Sequence, residues 1–372
     1  MEEVLIVGAG LSGMVLATAL KKASLRVDII EVHPRWDVLG VGISVQGPAL
    51  RALNSIGLMD RCIAAGFGYS QVVNCDQNGN VQGIVDLPRL NGPRYPSCVG
   101  MMRPALHQVL CDAMAEAGVT IRFGLTVQSL SQSPGGVEIE FSDGTHGRYD
   151  LVVGADGANS KIREVLFGPD CKPRYTGQAV WRAMVPRPPE VTARYAYYGP
   201  RHKAGFNPVS KDEMYIYLVQ NVSGEPRLEP RRWPAVMTEL LSDFGGHIGE
   251  VRESITDPER IVYRPVGSML LAPPWYRGRV VAIGDAAHTA SPQLASGATI
   301  AIEDAIVLAE LIQLSLPATE LLERFMLRRY ERCRIVVENS WQLGEWEKSP
   351  NLPGADPTAL IDASMKALAA PI

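Results

Sequence analysis

Val4-Leu5-Ile6-Val7-Gly8-Ala9-Gly10-Leu11-Ser12-Gly13 is the stretch on which the reading of this 372-residue chain turns. Its first four residues form a continuously apolar run rich in β-branched side chains, as in a strand buried on both faces of a parallel sheet. A helix-forming segment follows at 14–22, then a second apolar run at 27–30 that ends on Glu31. This order predicts a βαβ unit. Gly8 makes the tight turn, Gly10 lets the backbone approach a pyrophosphate, and Gly13 allows close helix–strand packing. Leu11 and Ser12 open the helix, whose unpaired N–H groups suit an anion. Glu31 can accept from a ribose 2′-hydroxyl and repels a 2′-phosphate. NAD and FAD fit this pattern equally well.

The rest of the chain narrows the class. At about 150 residues per domain, the length corresponds to two domains or slightly more. A net charge of −4 argues against a nucleic-acid binder or a polybasic membrane-surface protein. The six cysteines, at 62, 75, 98, 111, 171 and 333, show no C-x-x-C pair and no neighbouring histidine cluster. Reduced thiols are expected, with no disulfide framework and no metal site. The acidic start Met1-Glu2-Glu3 does not read as a secretory leader, and no run approaches the ~20 apolar residues of a membrane span. A soluble cytoplasmic protein is expected.

Further elements follow from periodicity. Residues 104–117 read as a helix, and 119–123, 137–141 and 149–153 as strands, with hairpin chemistry at Ser142-Asp143-Gly144-Thr145. From 174 to 263 short runs rich in Tyr and Trp, such as 194–198 and 214–219, suggest an antiparallel sheet facing a pocket. A buried strand is expected at 279–283 and long helices at 299–314 and 319–347; after Ser349 a loosely docked tail is expected.

Two glycine clusters separate the nucleotides. Gly154-Ala155-Asp156-Gly157 follows one buried strand, and Gly284-Asp285-Ala286-Ala287-His288 follows another and leads through Pro292 to Gly297-Ala298. The second is a strand–loop–helix element that offers a carboxylate and then free N–H groups at a helix start. With the 41–44 strand and Met102-Arg103-Pro104, these motifs resemble the single-component FAD-dependent aromatic hydroxylases of the para-hydroxybenzoate hydroxylase fold. The resemblance spans roughly residues 4 to 340.

It implies an α/β fold: a Rossmann-like, three-layer FAD-binding domain from 1–70, 98–173 and 264–348, an inserted antiparallel-sheet substrate domain from 71–97 and 174–263, C-terminal helices, and a tail at 349–372. Gly8, Gly10, Leu11, Ser12 and Gly13 would hold the FAD pyrophosphate, Glu31 the adenosine ribose, and Arg103 the pyrophosphate and ribityl region. Val127 would lie near adenine, Asp285 would bind the ribityl or pyrophosphate, and Gly297 and Ala298 would approach the isoalloxazine. Asp156 would serve FAD and the nicotinamide reductant, or else only buttress the sheet. Where many relatives carry a basic residue after the ribose acid, this chain has Val32, and Arg35 is the expected substitute. Ala295-Ser296-Gly297 replaces the family's Gly-Gln-Gly.

The implied reaction uses NADH or NADPH to reduce FAD, and O2 to form a C4a-hydroperoxyflavin that hydroxylates a small phenolic or hydroxylated N-heteroaromatic, carboxylated substrate. Site candidates are Tyr215 and Tyr217, Tyr195 and Tyr197, the cluster Arg201-His202-Lys203 with His202 as possible base, and Gln46 reaching flavin or substrate. Strand tyrosines also serve as packing, and such a basic cluster also serves as a solvated loop. His288 is expected to bond its own loop, and Glu303 and Asp304 to suit a helix N-terminal dipole. Expected partners are the aromatic substrate and oxygen, with no nucleic acid and no membrane span, in a monomer or homodimer. A flavin reductase of the geranylgeranyl-reductase type and a non-catalytic FAD module remain the alternatives.

Overall fold

The structure is a computed structural model that describes residues 3–36, 40–224, 228–349 and 352–372; the acidic start at Met1 and Glu2 lies outside them. Glu3–Val7, the helix Leu11–Lys22 and Arg26–Glu31 form the expected βαβ unit. It sits inside a six-stranded sheet ordered Tyr276–Arg277, Val280–Ala282, Leu151–Gly154, Glu3–Val7, Arg26–Glu31 and Ile121–Phe123. All neighbours pair in parallel except the edge hairpin at Tyr276–Arg277.

Alternation along the first strand creates three layers. Val4 and Ile6 join the core with Leu11–Lys22 and the helix Gly297–Gln313. Leu5 and Val7 face Val137, Ile139 and Phe141 of a three-stranded meander, Val127–Ser133, Gly136–Phe141 and His146–Tyr149. The run expected as one strand at 149–153 is therefore split. Tyr149 ends the meander, and Leu151 begins the parallel sheet.

The second sheet has eight strands, drawn from residues 71–86, 174–270 and 288–289. One face packs Trp181, Phe206, Ile216 and Leu218 against the helices Trp233–Leu241 and Gly246–Val251. The other turns Val180, Met184, Tyr215, Tyr217 and Val219 towards Val41 of the first unit. The chain closes with the helix Ala318–Lys348 and, in place of the expected loose tail, a docked helix Pro357–Ala369. Arg332 donates to the Leu368 carbonyl at 2.6 Å and Arg51 to the Ala369 carbonyl at 2.9 Å, so the tail is fastened from two helices.

Glu303 and Asp304 do not serve a helix dipole; both are fully buried. Asp304 accepts from the Gly284 amide at 3.0 Å, from Arg329 Nε at 2.8 Å, and pairs with His288 Nε2 at 2.5 Å. His288 thus bonds across to the helix and not within its own loop. Glu303 binds Arg332 through two 2.7 Å bonds and Arg329 at 3.1 Å. Burial works against the Asp304 charge, but His288 and Arg329 outweigh it and bring its pKa to about 2. Burial likewise opposes a charged His288, yet Cys333 and Asp304 hold its pKa well above the ordinary value.

The Asp304 contribution is complete above the unfolded carboxylate's pKa of about 4 and is lost as pH falls towards 2. The His288 contribution is complete below about 6.5 and is lost as pH rises past it towards the folded pKa. The pair therefore stabilises most between about pH 4 and 6.5. In thermal melts near pH 6, Asp304→Asn is expected to cost about 3–5 kcal/mol. It should also flatten the fall in Tm between about pH 6.5 and 8.5; an unchanged slope would contradict the pairing.

Candidate active site

At the nucleotide end, Gly8 has φ +102°, and a Cβ there would meet the Ala155 carbonyl oxygen at 2.6 Å. A Cβ on Gly13 would lie 2.0 Å from the Gly8 oxygen, whereas one on Gly10 would meet nothing closer than 3.9 Å. Gly8 and Gly13 therefore serve packing, and Gly10 keeps the backbone open to the cleft. No side chain caps the helix that Leu11 and Ser12 begin, and its first turn carries no acid, so its free N–H groups suit an anion. Glu31 is fixed by accepting from the amides of Ala9 at 2.9 Å and His33 at 3.0 Å.

A cleft of about 260 Å³ opens beside Glu31, lined also by Arg35, Trp36, Arg103 and His107. Arg35 thus stands where the basic residue missing at Val32 was expected to be replaced. Trp36 meets His107 edge-on at 4.4 Å, a pair that no periodic signal in the sequence marks. Arg103 lines the cleft with protein around its stem; burial and nearby Arg182 push its pKa down, and Asp285 opposes them.

Two further residues named from the sequence lie beside the parallel sheet. The Val127 side chain is buried in the meander core with Leu5 and Phe141, leaving only its backbone for a ligand. Asp156 accepts from Ser160 Oγ at 2.5 Å and from the amides of Lys161 at 2.7 Å and Ile162 at 3.1 Å. It caps the helix Lys161–Phe167, so the buttressing role describes its contacts.

At the other end, Asp285 is exposed, yet the chain packed around it raises its pKa, and His288 and Arg103 pull it back. Ala295 adopts a left-handed φ of +51° just before Gly297 and Ala298 open the helix Gly297–Gln313. That helix start also lacks a side-chain cap and an acid in its first turn. The Thr299 hydroxyl is buried without a protein partner. Gln46 is held by the loop before this helix. Its Nε2 donates to the Leu294 carbonyl at 3.0 Å and its Oε1 accepts from Ser296 at 2.8 Å, so it braces this loop.

Between the loop and the second sheet lies an inner cavity of about 50 Å³, lined by Ser44, Arg182, Arg194, Lys203, Asn207, Tyr215 and Tyr217 among others. Strand alternation places Tyr215 and Tyr217 here as expected. Tyr195 and Tyr197 face the opposite side, where Tyr195 stacks on Phe206 and Tyr197 meets it at a tilt. A Cβ on Gly42 would lie 1.8 Å from the Tyr215 ring, so the absent side chain admits that ring. Asn207 Nδ2 donates to the Tyr215 hydroxyl at 2.6 Å, and Tyr69 donates to Ser44 at 3.1 Å.

His202 is not in the inner cavity. It lies one residue from Lys203, enough to change its direction on a strand, and lines a separate outer chamber. Burial and Arg201 push its pKa down. Lys203 does face the inner cavity. Burial opposes its charge, but Glu347 at 3.1 Å outweighs burial and keeps it protonated. Arg182 and Arg194 were not singled out from the sequence. The available signal is an arginine within aromatic strand segments, Trp181-Arg182 and Arg194-Tyr195.

The FAD binding domain family matches residues 1–340 of the chain. The chain belongs to this family. It is 31% identical to the 2-heptyl-3-hydroxy-4(1H)-quinolone synthase of Pseudomonas aeruginosa, over 92% of this chain and 90% of that protein. It is 30% identical to the 6-hydroxynicotinate 3-monooxygenase of Pseudomonas fluorescens, over 83% and 82%. Among solved structures, Klebsiella pneumoniae HpxO complexed with FAD and uric acid shares the fold, with a TM-score of 0.84, 21% identity and coverage of 99% and 92%.

This member of the family is a flavin-dependent aromatic monooxygenase that uses FAD. Its residues fit the cofactor: an open glycine turn, two uncapped helix starts, a carboxylate and arginine on the cleft, and an orphaned hydroxyl at the ring end. Among the described residues, no helix is long and apolar enough to cross a membrane. Asp285→Ala is expected to purify with less than about a tenth of the parent's bound flavin, from loss of a charged hydrogen-bonding partner worth roughly 1.5–3 kcal/mol. Visible absorbance at full stoichiometry would contradict this placement.

Proposed function

We propose that this enzyme hydroxylates a small, electron-rich ring that enters the inner cavity as an oxyanion, a hydroxylated N-heteroaromatic or phenolic acid. The reading rests on one observation above the others. Arg194 faces the cavity with a buried Nε that has no protein partner, beside the charged Lys203. A buried donor of this kind costs stability unless something accepts from it. An ionised ring hydroxyl or a ring carboxylate would do so.

Gly10, the two helix starts, Glu31, Arg103 and Asp285 would hold FAD, which when bound would supply electron transfer from NAD(P)H and oxygen transfer to the ring. The remaining work falls to side chains. Arg194 and Lys203 favour loss of the ring hydroxyl proton and so raise the electron density at the carbon to be attacked. Asn207 donates to Tyr215 Oη and fixes that phenol in the cavity wall. Gln46, by bracing Leu294 and Ser296, keeps the loop closed over the cavity and limits the entry of water. The polar, tyrosine-lined cavity favours a hydroxylase over an isoprenoid reductase.

We assign the flavin unit to 1–70, 98–173 and 264–348 and the substrate unit to 71–97 and 174–263. A cytoplasmic setting accords with six unpaired cysteines. The test is turnover under air with NADH or NADPH against 4(1H)-quinolones and hydroxypyridine carboxylates. At least one ring should stimulate nucleotide oxidation and gain an oxygen atom, and Arg194→Gln should lower kcat/KM for it by about ten- to a hundredfold. Failure of every ring to be oxygenated would overturn the reading.

A further inference from the structure

The inner cavity encloses about 50 Å³, well below the roughly 300 Å³ at which ligand pockets usually begin. A second chamber of about 390 Å³ adjoins it, walled by the four central strands of the second sheet and the two C-terminal helices. Lys203, Val219 and Glu347 line both spaces. The partition between them is an ion pair: Lys203 Nζ meets Glu347 Oε1 at 3.1 Å, with side chains only 12% and 21% exposed. Gln293, from the flavin-side loop, and Gln178, from the sheet, donate to Glu347 Oε2 at 3.1 and 3.3 Å.

The partition has somewhere to go. The Lys203 ammonium lies 5.4 Å from the centre of the Tyr198 ring, inside the outer chamber, so an aromatic face is available when the carboxylate is displaced. The outer chamber itself is mainly apolar and aromatic, with Tyr198, Leu343, Trp346, Pro357 and Ile361 on its walls. Gln178, Arg201, His202 and Asn221 also line it, and its apolar wall favours hydrocarbon.

We infer that the substrate has two parts: a polar ring in the inner cavity, and an apolar substituent that passes the Lys203–Glu347 pair and fills the outer chamber. This rests on the ring-hydroxylation reading of the inner cavity and adds a specificity subsite to it. The ion pair then acts as a door, closed behind a short substrate and parted by a long one. The docked helix Pro357–Ala369 becomes a wall of the substrate site, because Pro357, Thr358 and Ile361 form one side of the chamber.

The experiment is calorimetric titration of the purified FAD-loaded enzyme with 2-methyl-, 2-propyl- and 2-heptyl-4(1H)-quinolone, in the parent and in Thr358→Trp and Ala355→Trp. Both variants place a large ring at the chamber's rim from positions outside the buried core, and two sites guard against one misfolding. Affinity in the parent should rise by about three- to fourfold for each methylene buried. The tryptophan variants should weaken the heptyl compound at least tenfold while leaving the methyl compound unchanged. Affinity indifferent to chain length, or an equal loss for all three compounds, would overturn the subsite. Product analysis of the methyl compound separates the two claims. Hydroxylation without chain-length dependence removes the subsite alone, whereas chain-dependent binding with no hydroxylation of any analogue removes the ring reading and keeps the subsite.

Discussion

Asp304 lies fully buried in a helix that begins at the flavin end of the cleft, and it is satisfied only by groups from elsewhere in the chain. The Gly284 amide and the His288 ring come from the strand–loop element that presents Asp285, and Arg329 comes from the long C-terminal helix. A charge so placed is costly unless every partner is present. The network therefore couples the position of Asp285 and the start of Gly297–Gln313 to the docking of the C-terminal helices. Glu303 and Arg332 extend the coupling to the last helix, whose carbonyls Arg332 also binds. The cleft has no continuous stretch of chain to build it, and this set of buried ionic bonds takes that role.

A second constraint acts across the interface between the two sheets. The face of the eight-stranded sheet towards the cleft carries the cations Arg182, Arg194 and Lys203, and the opposite face packs an apolar and aromatic core. Because side chains on a strand alternate, one register places Arg182 and Met184, Lys203 and Asn207, and Tyr215 and Tyr217 together. Positive charge collected beside the flavin loop is the feature on which the proposed preference for anionic rings rests. The ion pair at the rear of that face then decides how much of a ligand the cavity admits.

The parts legible in the sequence are those encoded locally. The glycine turn, the apolar strand from Val4 to Val7 and the helix starts each carry a signal within a few residues, and the structure follows them closely. Alternation also paired Tyr215 with Tyr217 and Tyr195 with Tyr197, but a period of two cannot say which face meets the cleft. Tertiary packing answers that, and it separates the pairs. The same ambiguity applies to His202, which lines the outer chamber while Arg194 lines the inner cavity, and the bracing by Gln46 left no local signal because its two partners, Leu294 and Ser296, are remote in sequence. The final helix did have a local signal. Asp356 accepts from the Ala359 amide at 2.9 Å ahead of Pro357, a helix start that the alanine-rich composition obscured.

The account stands on Arg194 and Lys203 holding the ring as an anion, and the ultraviolet spectrum of a bound ring measures that directly. A hydroxylated N-heteroaromatic that the FAD-loaded enzyme binds is titrated onto it about two pH units below the ring's own pKa, where one free molecule in roughly a hundred is ionised. The predicted result is the spectrum of the ionised ring, reverting towards the neutral form in Arg194→Gln. A bound ring that keeps its neutral spectrum at that pH would contradict the account.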